Sequence, residues 1–149
     1  MTALQARIRA EALRWRGTPF HHHADLRGVG CDCIGLVVGV LRAAGLVPGD
    51  CRLPSYSADF MMHRDDEVLL AGLREHCREV QTPEVGDILV YRYGRAASHC
   101  GFYLGEGNLI HAVSRHEVRV EAMSSPALAS RFVGAFRLNA LCEEATCRP

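Results

Sequence analysis

The segment from Cys33 to Ala44 constrains the fold most, because it is apolar on nearly every side. Asp32 comes directly before it and is a favoured N-cap residue, while Gly45 comes directly after it and favours the end of a helix. The segment therefore predicts a helix over residues 33–44. Because a helix that is apolar all round lies buried, we expect this one at the centre of the fold.

Cys33 lies in the first turn of the predicted helix, beside unpaired N–H groups and the positive end of the helix dipole. A thiol in such a place has a lowered pKa and becomes a thiolate nucleophile. The alternative is a buried free cysteine that packs as a small apolar side chain, which is the commoner fate of cysteine. Cys33 taken alone leaves both interpretations open.

Two histidines further along the chain are predicted to meet across a hairpin. Residues 98–104 and 108–113 are predicted to be strands, and the glycines between them favour a turn. A hairpin that is symmetric about Gly105 places His99 directly opposite His111, with Cβ atoms about 5 Å apart. A slip of one residue would put the two side chains on opposite faces.

Together with Cys33, the two histidines fit a nucleophile, a base and a residue that orients the base. The alternative is a pair of core histidines that hydrogen-bond to each other. That alternative is ordinary for one histidine, and it fits less well for both beside a cysteine at a helix terminus. Asp32 is interpreted as the helix cap rather than as a catalytic carboxylate.

Four motifs follow one another in order between residues 3 and 138. They are Gly17-Thr18-Pro19-Phe20, Gly30-Cys31-Asp32-Cys33-Ile34-Gly35-Leu36-Val37, Pro83-Glu84-Val85-Gly86-Asp87-Ile88-Leu89-Val90 and the run from His99 to Ala112. Together they resemble the NlpC-type cell-wall cysteine peptidases. Two histidines after an aromatic residue, and a Cys-Asp-Cys nucleophile segment, resemble the branch encoded with phage tails and gene transfer agents.

The resemblance implies a role for each member of the triad. Cys33 matches the family's nucleophile, His99 its general base, and His111 the polar residue that orients the base. The order of cysteine before histidine argues against the circularly permuted relatives. The implied substrate is a peptidoglycan stem peptide, cut between D-glutamate and the diamino acid, with no cofactor and with phage-tail proteins as further partners.

Two residues depart from the family pattern. Phe20 stands where the family usually has a tyrosine whose hydroxyl assists the oxyanion, and His23 stands where this branch usually has glutamine. The remaining donors are the Cys33 backbone N–H and one of His21, His22 or His23, and losing one such donor costs about 10²–10³ in rate. These departures leave open a catalytically weak tail-tip module that binds cell wall or tail proteins. A third hypothesis is an amidase or acyltransferase with the same triad.

The run His21–His23 also invites a metal-binding interpretation, because Asp25, Cys31 and Cys33 lie near it in sequence. The spacing lacks the paired ligands of a structural zinc site, and consecutive histidines in an extended segment point in different directions. We therefore expect no metal. Instead, one of these histidines is expected to line the pocket, and Cys31 is expected to pack as a small side chain.

Helices followed by a run of antiparallel strands predict an α+β fold. With the resemblance, this becomes one papain-like domain over residues 1–149, its central helix packed on a sheet of about five strands. The expected elements are helices at 3–16, 33–44 and 65–80, an irregular groove wall at 46–64, strands at 87–93, 98–104, 108–113, 117–122 and 132–138, and a frayed end at 143–149.

Composition limits which partners and which cellular compartment we expect for the protein. The 17 basic residues balance the 17 acidic ones without a basic stripe, so nucleic acid is not an indicated partner. No apolar run is long enough to cross a bilayer, and the N-terminus lacks the apolar core of a signal peptide. We expect residence in the cytosol, with action at the cell wall if a phage tail-like particle carries the protein there. The seven cysteines are expected to be mostly free thiols.

Overall fold

The computed structural model describes residues 1–53, Tyr56 and residues 68–146, with side chains described as far as residue 143. In this part of the chain, five helices accompany a short ribbon and a six-stranded antiparallel sheet. The helices are α1 (Ala3–Leu13), α2 (Cys33–Ala43), α3 (Val68–His76), α4 (Pro126–Ala129) and α5 (Asn139–Thr146).

The large sheet has the strand order β3-β8-β4-β5-β6-β7, so β4 to β7 follow chain order and β8 lies between β3 and β4. Its strands are β3 (Cys77–Val80), β4 (Ile88–Tyr93), β5 (Ala96–Gly105), β6 (Asn108–Ala112), β7 (Val118–Ala122) and β8 (Phe132–Leu138). The ribbon pairs β1 (Asp25–Leu26) with β2 (Gly30–Cys31) directly before α2. The α+β arrangement predicted from the sequence is therefore correct.

Helix α2 lies at the centre of the fold, as predicted. Asp32 is its N-cap, and the carboxylate accepts a hydrogen bond from the Gly35 N–H at 2.8 Å. The helix ends at Ala43, and Gly45 follows with φ of +74°, a left-handed conformation that glycine adopts easily. This capped start determines where the Cys33 side chain projects.

The sheet separates two clusters of buried side chains. The larger cluster joins the first three helices to one face of the sheet and includes Leu36, Val40, Ile88 and Phe102. The smaller cluster, on the other face, holds Leu89, Tyr91, Leu109, Leu128 and Ala135. Because successive residues of a strand point to opposite faces, each central strand contributes to both clusters.

Two sequence-based helix boundaries are wrong. The helix predicted over 65–80 ends at His76, and Cys77–Val80 instead forms β3, paired with β8. The spacing of Leu73 and Cys77 suits a helix that continues beyond His76. The backbone of residues 77–80 is instead satisfied by hydrogen bonds to β8, so this segment forms a strand. The sheet consequently has six strands rather than about five.

The other error lies near the start of the chain. The helix predicted over 3–16 ends at Leu13, followed by a turn as far as Gly17. At the other end, residues 143–146 belong to α5, whose Leu141 is buried in the core, and the frayed end at 143–149 stays a prediction. Residues 147–149 lie outside the described residues, as do 65–67 and most of the groove wall, including Pro54 and Phe60.

None of the helices in the described part of the chain combines the length and the apolar character that a bilayer span requires.

Candidate active site

Cys33 is the first residue of α2, and its side chain is buried against β5. The Cys33 Sγ lies 3.5 Å from the carbonyl oxygen of Ser98. In return, the Cys100 Sγ lies 3.5 Å from the carbonyl oxygen of Cys33. The start of the helix is therefore in direct contact with the strand that carries His99.

The surroundings of Cys33 favour the thiolate. A hydrogen bond from the Cys100 thiol and the hydrogen bond and positive charge of His99 lower the pKa of Cys33 to about 5, against the opposing effects of burial and of Asp32. A group with this pKa is ionised at neutral pH. By contrast, burial raises the pKa of Cys31 to about 12, so that neighbouring thiol stays protonated, as expected of a packed side chain.

Cys100 is a site residue that the sequence interpretation missed. It is fully buried in the larger core cluster, and its thiol is the foremost cause of the lowered pKa of Cys33. The available signal was its place next to His99 in a predicted strand, because neighbours in a strand point to opposite faces. The alternation therefore predicts that either His99 or Cys100 faces the central helix.

His99 and His111 do meet, although not directly opposite each other. The His99 Nε2 lies 2.7 Å from the His111 Nδ1, and the two rings pack edge to face. His111 is paired with Gly101, so the predicted register is wrong by two residues. A shift of two keeps both side chains on the same face, and the contact is the diagonal one that long side chains make across neighbouring strands.

The turn and a bulge beside it together account for the difference in register. Glu106 and Gly107 form the two-residue loop, with φ of +53° and +75°, so the hairpin is not centred on Gly105. The register then shifts by one residue between Tyr103 and Gly105, which pairs His111 with Gly101. Two successive positive φ values are typical of the type I′ turn. Opposite His111, a Cβ on Gly101 would collide with the Ile110 carbonyl oxygen, so this diagonal pairing requires glycine there.

The hydrogen bonds of His111 define its tautomer. Its Nε2 lies 3.0 Å from a carboxylate oxygen of Glu121, an acceptor, so this nitrogen carries the proton. Its Nδ1 then accepts from the His99 Nε2–H, which leaves the His99 Nδ1 as the ring nitrogen available to Cys33. Burial, with the nearby charge of His99, lowers the pKa of His111 to about 4, so the ring is neutral at pH 7.

Aromatic side chains hold the His99 ring on the sheet. Tyr91 is its partner in the β4–β5 register, and the ring of Tyr93 packs edge to face at 5.3 Å between centroids. The Arg131 guanidinium lies over Tyr93 in turn, 4.7 Å from the ring centroid. The His99 ring is therefore fixed by packing as well as by its hydrogen bonds.

The candidate oxyanion residues lie in the loop before β1 and around the β1–β2 ribbon. Phe20 is half-buried against the larger core cluster, and its N–H donates to the His116 carbonyl at 2.9 Å. His21 is exposed, and its ring lies so close to Gly30 that a Cβ there would be 2.7 Å from it. Neither contact directs a polar side-chain atom at Cys33.

His22 and His23 gather instead around Tyr56 and Asp32. Both rings contact the Tyr56 ring, with centroids 5.5 and 4.8 Å away. The Tyr56 hydroxyl donates to Asp32 at 2.6 Å, the His23 N–H donates to the same carboxylate oxygen at 2.7 Å, and His22 Nδ1 lies 3.9 Å from it. Tyr56, expected only on a groove wall, thus places a hydroxyl group beside the helix cap.

Among the described residues, no three side chains of metal-binding types converge as they would around an ion. The six cysteines of this part of the chain are all free, in agreement with the expectation from the sequence.

The profile of the NlpC/P60 family matches residues 14–137. The chain belongs to the NlpC/P60 family. The matched range contains Cys33, His99 and His111, and it confirms the family resemblance seen in the motifs, whereas the phage-tail branch stays a prediction. Among curated proteins, none matches the sequence significantly.

Solved structures share the fold. The NlpC/p60 domain of the peptidoglycan hydrolase SagA has 22% identity and a TM-score of 0.60, with 90% of this chain and 98% of that domain covered. RipD from Mycobacterium tuberculosis, a non-catalytic NlpC/p60 domain protein adapted to peptidoglycan binding, has 20% identity and a TM-score of 0.56, covering 91% and 97%. An NLP/P60 family protein from Staphylococcus aureus has 21% identity and a TM-score of 0.67, covering 93% and 42%.

The chain thus spans less than half the length of the Staphylococcus aureus protein and nearly all of the other two. At these identities the likeness shows the fold. It is the papain-like fold that the sequence motifs imply.

Proposed function

We propose that the protein is a cysteine peptidase that hydrolyses amide bonds in peptidoglycan stem peptides. The observation that carries the proposal is the arrangement of Cys33, His99 and His111. A buried cysteine with a pKa of about 5 faces a histidine, whose far ring nitrogen lies 2.7 Å from a second, neutral histidine. This is the arrangement of a nucleophile, a base and an orienting residue, in a family with peptidoglycan hydrolases among its members.

The mechanism starts from the ion pair of Cys33 thiolate and His99 imidazolium. The sulfur attacks the carbonyl carbon, forming a C–S bond while the carbonyl π electrons move to oxygen. As the tetrahedral intermediate collapses, the C–N bond breaks and the His99 Nδ1–H protonates the leaving amine. His99, now neutral, takes a proton from water, which attacks the thioester and releases the acid and the thiolate.

The start of α2 offers a backbone donor for the oxyanion. The N–H that Asp32 caps is that of Gly35, and the Cys33 N–H lies in the first turn, in the same residue as the sulfur. The positive end of the helix adds to its effect. A second donor from the His21–His23 loop would require a side chain to turn toward the sulfur when substrate binds.

The bond that we propose is the one between D-glutamate and the diamino acid. The support is the set of motifs around Phe20, Cys33 and His99, and the segment Cys31-Asp32-Cys33 also supports delivery to the cell wall by a phage tail-like particle. Tail genes next to the coding sequence are the expected observation. Their absence would leave the peptidase proposal standing without its phage context.

Purified stem peptides, analysed by mass spectrometry after incubation with the protein, test the activity. We expect two fragments whose masses identify the cleaved bond, and no fragments with Cys33→Ala. Cys77→Ala is the matched control, because it removes another buried thiol away from the site. Binding of the peptides without cleavage would replace the proposal with a peptidoglycan-binding module, the function described for RipD. Cleavage of esters or other amides alone would favour an amidase or acyltransferase.

A further inference from the structure

A fourth and a fifth side chain continue the line that runs from Cys33 through His99 to His111. Glu121 on β7 contacts His111, and Ser125, just before α4, contacts Glu121. We propose that Glu121, held in place by Ser125, is a positioning residue that keeps His111 in the tautomer able to accept from His99, and whose negative charge stabilises the ion pair of the nucleophile. This inference rests on the proposed function.

The geometry of Glu121 engages both of its carboxylate oxygens. Oε2 lies 3.0 Å from the His111 Nε2, and Oε1 accepts a hydrogen bond of 2.7 Å from the Ser125 hydroxyl. Leu109 is the strand partner of Glu121, so the contact with His111 runs diagonally between β6 and β7. It is the same diagonal step that joins His111 to His99, one strand further across the sheet.

The surroundings keep this carboxylate ionised. The Ser125 hydroxyl, followed by the hydrogen bond from His111, lowers the pKa of Glu121. The other ionisable groups acting on the pair are His99 on β5, Arg119 on β7, and Tyr91 and Tyr93 on β4. The side chain of His111 is only 4% exposed, so water competes little for its Nε2–H.

The need for such a residue follows from the chemistry of neutral imidazole, which has one donor and one acceptor nitrogen. If the proton moved to the His111 Nδ1, that nitrogen would donate to the His99 Nε2. His99 would then carry its own proton on Nδ1, facing the sulfur, and it would have no free lone pair with which to take the thiol proton. An acceptor fixed at the His111 Nε2 prevents this exchange.

Two substitutions separate the acceptor from the charge. Glu121→Gln keeps an oxygen that can accept from His111 but removes the negative charge, whereas Glu121→Leu removes both. Ser125→Ala removes only the support of the carboxylate. Glu117→Gln is the matched control, because Glu117 is an exposed carboxylate close to β7.

The readouts need no substrate, so they are independent of whether stem peptides are cleaved. Nitrogen-15 NMR of the histidine rings reports the tautomer, and the pH profile of Cys33 alkylation by iodoacetamide reports the thiolate. We expect the Nε2–H tautomer of His111 in the wild type and in Glu121→Gln, and a change of tautomer in Glu121→Leu. In both variants we expect the pKa of Cys33 to rise by about one unit, which slows alkylation about tenfold at pH values below it.

Ser125→Ala should move the alkylation profile in the same direction by a smaller amount, and Glu117→Gln should leave it unchanged. The proposal is overturned if folded Glu121→Leu, verified by its circular dichroism spectrum, keeps both the wild-type tautomer and the wild-type profile. It is equally overturned if Glu117→Gln shifts the profile as much as Glu121→Gln does, because a general effect of net charge would then explain the result.

Discussion

The reactivity of a single sulfur depends here on which side chains reach it. Cys33 has a pKa lowered to about 5, whereas burial, with the charge of Asp87, raises the pKa of Cys77 to about 12. At pH 7 we therefore expect iodoacetamide to label Cys33 far faster than Cys77 or the half-buried Cys142. Peptide mapping after timed alkylation measures the three rates. Equal rates at the three sites would contradict the assignment of the nucleophile.

The second prediction at the scale of single residues concerns the Cys100 thiol. Because its hydrogen bond is the foremost cause that lowers the pKa of Cys33, Cys100→Ala should raise the pKa of Cys33 and slow its alkylation most at pH 5–6. The variant Cys100→Ser distinguishes the loss of this hydrogen bond from a packing effect. Its hydroxyl group can still donate to Cys33, so much of the reactivity of Cys33 should remain. An unchanged profile in Cys100→Ala would mean that His99 alone stabilises the thiolate.

The third prediction at the residue scale concerns Phe20, because it stands where the family pattern has a tyrosine. If a side-chain donor acts on the oxyanion, Phe20→Tyr should raise the single-turnover acylation rate without tighter substrate binding, since that charge develops only in the transition state. If His21, His22 or His23 already donates, its replacement by alanine should be the costly change. The four variants to compare are Phe20→Tyr and the alanine variants of the three histidines. If none of them shifts the acylation rate by more than about twofold, backbone N–H groups alone stabilise the oxyanion.

At the scale of elements, the β5–β6 hairpin depends on Gly101. A Cβ there would collide with the Ile110 carbonyl oxygen and lie 2.9 Å from the His111 Cβ. Gly101→Ala should therefore force the strands apart, destabilise the protein by about 2 kcal/mol or more and impair the alkylation of Cys33. The control is Gly72→Ala, on helix α3 in open space. Denaturant titration of both variants measures the difference, and equal stabilities would show that the hairpin adapts.

The elements that the sequence predicted well are those that carry their own local signals. Helix α2 has a cap, an apolar run and a terminal glycine within fourteen residues, Asp32 to Gly45, so its bounds follow from the sequence alone. β3 has no comparable signal, because the pairing of Cys77–Val80 with β8 joins segments about sixty residues apart. The contact of Glu121 with His111 was missed for the same reason, because it depends on a neighbour brought close by folding. Cys100 had only the alternation of side chains along its strand as a signal.

At the scale of the whole molecule, the site makes stability depend on pH. His111 has a folded pKa of about 4 against an ordinary value of 6.5, so the folded state binds fewer protons than the unfolded state between these values. Its contribution is therefore fully present above about pH 6.5 and is lost as the pH falls toward 4. The difference amounts to about 3 kcal/mol for this nearly buried ring.

Cys33 adds little slope near neutral pH, because the ion pair keeps its proton. The pKa of Cys33 is about 5 when folded against 9.0 for an ordinary cysteine thiol, but the proton that the thiol releases is held by His99 in the ion pair, so the folded pair as a whole loses no proton. The free energy of unfolding, measured by urea titration from pH 4 to 9, should therefore rise mainly between pH 4 and 6.5 in the wild type. His111→Asn should reduce the slope in this range. A wild-type slope that survives His111→Asn unchanged would place the pH dependence elsewhere in the molecule, and a slope between pH 6.5 and 9 that disappears in Cys33→Ala would show that the proton of Cys33 does not stay on His99.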